Sequence, residues 1–87
     1  MEIEFDPNKA SSNLIKHGIS FEESSTALLD PLALVREEPD AEGENRWVLI
    51  GMSNQARLLT VVYTLRNERI RLISARKATK TEAKNYA

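Results

Sequence analysis

A chain of 87 residues has room for one hydrophobic core, and 41% hydrophobic with 29% charged residues is an ordinary globular balance. The absence of cysteine excludes a disulfide framework, a thiolate metal site and a cysteine nucleophile, and a single histidine excludes a multi-histidine metal centre. The net charge of −1 hides a division after Asn45: residues 1–45 carry three Lys or Arg against eleven carboxylates, net −8, and residues 46–87 carry nine against two, net +7.

Ile3 and Phe5 alternate with Glu2 and Glu4, the period of a short half-buried strand. The same opening lacks the basic region and apolar run of a signal peptide, and no segment is long and apolar enough to span a bilayer, so a cytoplasmic protein with no membrane contact is expected. Asp6-Pro7 starts a helix, with Asp6 accepting free N–H groups and Pro7 suited to the first helical position. That helix runs to about His17, where Gly18 is a natural left-handed stop. Ser20 and Glu23 have capping-box spacing for a second helix over roughly 21–29, closed by Asp30-Pro31. Leu32 to Val35 reads as a strand, and Glu37 to Asn45 as an acidic loop. Trp47 to Gly51, Leu58 to Leu65 and Ile70 to Ala75 are apolar runs of strand length, joined closely enough to form an antiparallel meander. Thr79 and Glu82 repeat the capping-box spacing and open a last helix from Lys80 to about Tyr86. The order predicts a single α+β domain over 1–87: a curved antiparallel sheet, made of the N-terminal strand plus the meander, with two N-terminal helices and a short C-terminal helix packed on one face.

A basic half rich in arginine points to a phosphate-bearing partner, because the planar guanidinium donates paired hydrogen bonds and keeps its charge. Arg46, Arg66, Arg69, Arg71 and Arg76 form the candidate group; solvated edge charges, or partners for the acidic half, are the alternative. Strict alternation places Ile70, Leu72, Ser74 and Arg76 on one face of the last strand, with Arg71, Ile73 and Ala75 on the other. Arg76-Lys77 lies just before the last helix, whose free N–H groups add an anion site. His17 is the default general acid or base, next to Lys16, unless it only completes the helix end through the dipole. Glu42 and Glu44 pair as bases or ligands, or belong to a solvated loop. Trp47, Tyr63 and Phe21 fall at core positions.

Glu4-Phe5-Asp6-Pro7-Asn8-Lys9-Ala10, then Asn13-Leu14-Ile15-Lys16-His17-Gly18-Ile19-Ser20-Phe21-Glu22-Glu23, then Asp30-Pro31, resemble the N-terminal half of BrnT-type toxins. Gly43-Glu44-Asn45-Arg46-Trp47, Ile50-Gly51 and Ile70 to Thr79, followed by Glu82 and Tyr86, complete the pattern over nearly the full chain. The resemblance implies a RelE/ParE-like fold and a metal-independent endoribonuclease that cleaves RNA and inhibits translation, with no cofactor. It also implies a cognate antitoxin with a ribbon-helix-helix DNA-binding region, DNA being met only through that antitoxin, and co-repression of the shared operon. Carried onto this sequence, the catalytic positions are His17, Lys16, Glu44, Arg46, Arg66 and Arg76, with Arg69, Arg71 and Lys77 on the RNA. Many members place a histidine where this chain has Asp40-Ala41-Glu42; if that histidine contributes to proton transfer there, this chain is slower or relies more on His17. Two other readings compete: a non-enzymatic module that binds nucleic acid or protein, and a ParE-like toxin aimed at a protein target.

Overall fold

The computed structural model describes residues 2–39 and 43–86. Its elements run β1 (Ile3–Glu4), α1 (Pro7–His17), α2 (Phe21–Ala27), β2 (Leu34–Glu38), β3 (Arg46–Met52), β4 (Leu58–Arg66), β5 (Arg69–Lys77) and α3 (Lys80–Asn85). The Asp6 carboxylate accepts from the Asn8 N–H at 2.9 Å, which opens α1 at Pro7. Gly18 closes it with φ 71°, and its N–H donates to the Leu14 carbonyl at 2.8 Å. At α2 the Ser20 hydroxyl accepts from the Glu23 N–H, but the Glu23 side chain does not complete the box. It turns inward instead and accepts from Ser53 and the guanidinium of Arg57. Those donors hold the Glu23 carboxyl below its ordinary range against the opposing effect of burial. At α3 both halves of the capping box form between Thr79 and Glu82.

The five strands order β1-β5-β4-β3-β2. The meander is antiparallel throughout, as expected, whereas β1 joins the outer side of β5 in parallel, Ile3 beside Ile70. The sheet is therefore mixed. The two helices between β1 and β2 carry the chain from one sheet edge to the other and reverse it, so β1 runs with β5. The strand expected over Leu32 to Val35 lies further on, at Leu34–Glu38, and takes in two glutamates read as loop. An exposed edge strand needs only its backbone to pair with β3, so Glu37 and Glu38 can point into solvent. Asp40 to Glu42 lie outside the described residues.

Ile19, Phe21 and Ala27 pack against Leu49, Leu59, Val61, Tyr63, Leu72 and Ala75 to make the core. Each large apolar side chain fully buried there contributes about 1.5–3 kcal/mol. Trp47 stacks on Tyr63 at its margin, rings 6.1 Å apart. β5 carries one irregularity. Tyr63 pairs with Leu72 but Val62 pairs with Ser74, so Ile73 is an extra, bulged residue. The bulge overturns strict alternation: Leu72 and Ala75 both reach the core, while Arg71, Ser74 and Arg76 share the opposite face with Thr64, Val62 and Thr60. α3 also lies on that opposite face, through Glu82 to Thr60 and Arg76, rather than beside α2 as expected. It covers the Thr60 end of that face.

Candidate active site

Lys9, Ser12, Asn13 and Lys16 recur at helical spacing on one side of α1. Asn13 fixes that side against β5. Its buried amide donates to the Ile19 and Ala75 carbonyls at 2.9 Å each, and its carbonyl accepts from the Ala75 N–H at 3.0 Å. The result is a recess of about 370 Å³ in which Lys9, Lys16 and His17 of α1 face Ile73 and Ser74 of β5. His17 at the end of α1 is half-buried, and Lys16 is exposed.

A second recess, of about 240 Å³, lies at the Thr64 end of the sheet. Arg71 on β5 is the cross-strand neighbour of Thr64 on β4, and Arg66 lies two residues further along β4 on the same face. Trp47 pairs with Tyr63, which brings Arg46 of β3 to the other side of Thr64. Three arginines therefore surround one threonine, with Lys9 and Glu44 completing the walls. The Glu44 carboxylate meets Arg66 at 3.3 Å, a long contact with both side chains about half exposed. Arg71 has a looser pair with Glu4 at 3.7 Å. Thr64 is 1% exposed and its hydroxyl has no hydrogen-bond partner. A buried polar group left in that state costs roughly 1–3 kcal/mol.

The two recesses share Lys9 and Ile73 in their walls, so they adjoin at the bulge and outline one candidate groove. It brings together Lys16, His17, Glu44, Arg46 and Arg66 of the predicted catalytic set, and Arg71 of the predicted RNA contacts. Three predicted residues line neither recess. Arg76 holds Glu82 through two guanidinium bonds of 2.8 and 2.9 Å. That pairing, helped by the Thr79 N–H and the Thr60 hydroxyl, pulls the Glu82 carboxyl down to about 2 and raises Arg76. Arg69 faces Arg66 across the hairpin and is drawn outward to Glu2 at 3.0 Å. Lys77 is exposed at the far end of β5. Glu42 lies outside the described residues.

Sequence reasoning passed over Lys9, Thr64 and Ile73 as site residues. Lys9 precedes Lys16 by two helical turns, a spacing that places both on one side of α1. Thr64 reads as an ordinary strand residue, and a bulge at Ile73 leaves no compositional mark. Among the described residues, no group of three His, Asp or Glu side chains is placed to hold a metal ion. No helix there is long and apolar enough to cross a membrane.

A family model described as "Ribonuclease toxin, BrnT, of type II toxin-antitoxin system" matches residues 5–82. The fold is similar to the crystal structure of the Brucella abortus ribonuclease toxin BrnT, with a TM-score of 0.70 and 28% sequence identity. That likeness covers 92% of this chain and 99% of the Brucella one. No curated protein sequence matches the chain.

Proposed function

We propose how this chain acts from the premise that it belongs to the BrnT family, the ribonuclease toxins of type II toxin–antitoxin systems. Membership gives it RNA as substrate and a cognate antitoxin as partner. It also sets aside the readings as a non-enzymatic module and as a toxin aimed at a protein. The whole chain is taken as one toxin domain acting in the cytoplasm, a reading supported by the match over 5–82 and by the one five-stranded sheet.

The adjacency of the two recesses at Lys9 and Ile73 carries the mechanism. An RNA strand laid over Ile73 meets His17 and Lys16 on one side and Glu44, Arg46, Arg66 and Arg71 on the other. Cleavage without a metal needs a base for the 2′-OH proton, an acid for the leaving 5′-oxygen, and cations on the charged phosphorane. His17 and Glu44 divide the two proton transfers, each worth about 10²–10⁴-fold in rate. The arginines and lysines stabilise the negative charge that develops on phosphorus oxygens. The 2′-oxygen bonds to phosphorus as the bond to the 5′-oxygen breaks, leaving a 2′,3′-cyclic phosphate and a 5′-hydroxyl. Arg76 anchors α3 in this account, and Arg69 and Lys77 add long-range attraction only.

His17→Ala and Arg66→Ala should each lower RNA cleavage by about 10²-fold or more, with Arg69→Ala near wild type. Wild-type rates in both site variants would remove the assignment. The antitoxin is assigned a ribbon-helix-helix region that reads operator DNA, with the pair repressing its own operon. The basic face suits an acidic covering segment. A gel shift of operator DNA by the complex, and none by this chain alone, is the expected result; a shift by this chain alone would contradict it.

A further inference from the structure

Neither the proton transfers nor the arginine charges make use of the Thr64 hydroxyl. It is the one buried side-chain polar atom without a hydrogen-bond partner among the described residues. Four residues earlier on the same strand and face, Thr60 shows what such a group does when satisfied. Thr60 is the cross-strand neighbour of Arg76, and the two hold one carboxylate between them. The Thr60 hydroxyl donates to Glu82 Oε1 at 2.9 Å, and Arg76 donates to Oε1 at 2.8 Å and to Oε2 at 2.9 Å. Thr64 and Arg71 are the same threonine–arginine cross-strand pair on the same face of the same two strands. There, among the described residues, no carboxylate is hydrogen-bonded by both members of the pair: Glu4 meets Arg71 only at 3.7 Å, and Arg46, Arg66 and Glu44 stand around the position.

We infer that Thr64 and Arg71 form an oxyanion seat for one phosphate group of the RNA backbone, with Arg46 and Arg66 closing around it. The Thr64 hydroxyl donates to a non-bridging phosphate oxygen, and Arg71 donates its paired N–H groups as Arg76 does to Glu82. The hydroxyl is buried in the free protein, and Arg66 beside it is half exposed and, among the described residues, held by the long Glu44 contact, so it can swing to admit the ligand. Thr64 thereby becomes a substrate-contacting residue that sets where the backbone lies against His17 and Glu44. The identity of the ligand as RNA rests on the ribonuclease reading; the seat rests on the geometry of the two threonine–arginine pairs.

The test compares wild type with Thr64→Val, which keeps the shape and removes the hydroxyl, and Thr64→Ser, which keeps the hydroxyl. Inorganic phosphate and a 2′-O-methyl oligonucleotide, which cannot be cleaved by 2′-oxygen attack, are titrated while backbone amide resonances are followed. Perturbations should centre on Arg46, Thr64, Arg66 and Arg71. Thr64→Val should weaken oligonucleotide binding by about ten- to a hundredfold, the size expected for one bond to a charged acceptor, with Thr64→Ser close to wild type. The melting temperature of Thr64→Val should hold or rise, because the hydroxyl has no partner to lose. Equal binding by Thr64→Val and wild type, no perturbation at these residues with either ligand, or a lowered melting temperature would each overturn the seat. Cleavage of the unmodified oligonucleotide separates the two claims. Hydroxyl-dependent binding without scission keeps the seat and defeats the cleavage mechanism, and undiminished scission by Thr64→Val does the reverse.

Discussion

Arg76→Ala tests whether Arg76 serves the fold, as its pairing with Glu82 suggests, apart from the roles proposed for the groove residues on RNA. Arg76 and Glu82 make a bidentate pair that ties α3 to the sheet, with the Glu82 side chain 19% exposed and that of Arg76 41% exposed. The pairing lowers the Glu82 carboxyl from 4.5 to about 2. At about 1.4 kcal/mol per unit, that fall sets a ceiling of roughly 3 kcal/mol on what the charged form contributes. Solvent around the exposed guanidinium screens the pair, which brings the expected loss in Arg76→Ala to about 1–2 kcal/mol. The sign follows from a depressed folded value. The contribution is fully present above the unfolded value of 4.5 and fades as pH falls toward 2. Urea unfolding of wild type and variant should therefore show the full difference near neutral pH and a closing gap under acid conditions. A difference of the same size at both extremes would refute the electrostatic argument. RNA cleavage per folded molecule should stay within a few-fold of wild type, and a loss of about a hundredfold at full folding would place Arg76 in the reaction itself.

Asn13→Ala leaves the Ala75 N–H and carbonyl unpaired and frees α1 from the bulged strand, so it should cost about 2–3 kcal/mol by denaturant unfolding and reduce cleavage as well. At Gly51 an added Cβ would lie 2.7 Å from the Ala27 carbonyl oxygen and 3.0 Å from Leu49 Cδ2. Gly51→Ala should therefore push the end of α2 off the sheet and lower stability by about 1–3 kcal/mol in a thermal melt. Arg57→Ala strands the buried Glu23 carboxylate, so urea unfolding should show a loss of stability near neutral pH that shrinks as acid protonates Glu23.

The parts of the fold governed by local chemistry were legible in the residues. Asp6-Pro7 and Gly18 bound α1, Thr79 and Glu82 cap α3, and the alternating runs of the second half became the meander. What could not be read depends on partners distant in the chain. The bulge at Ile73 arises from how β5 is matched to β4, and it decides which β5 side chains meet the groove. Arg76 looked like a phosphate ligand because its partner, Glu82, belongs to a helix whose side of the sheet no local pattern sets. Lys16, His17, Glu44, Arg46 and Arg66, picked by residue type, line the two recesses, whereas Lys9 and Thr64 join them only through the placing of α1 against the bulge and of β4 between two arginine-bearing strands. The division of charge also acquires a structural sense. Carboxylates of the acidic half, Glu2, Glu4, Glu23 and Glu44, pair with arginines of the basic half, while Lys9, Lys16 and His17 of the acidic half line the groove.

The central claim is that protein side chains alone carry RNA cleavage in the groove that spans Ile73. The most direct measurement incubates the purified protein with RNA in excess EDTA and determines the chemistry of the new ends. Cleavage should be undiminished, with 2′,3′-cyclic phosphate and 5′-hydroxyl ends, and abolished or sharply reduced in His17→Ala. Loss of cleavage on chelation, or products bearing 5′-phosphate and 3′-hydroxyl ends, would contradict it.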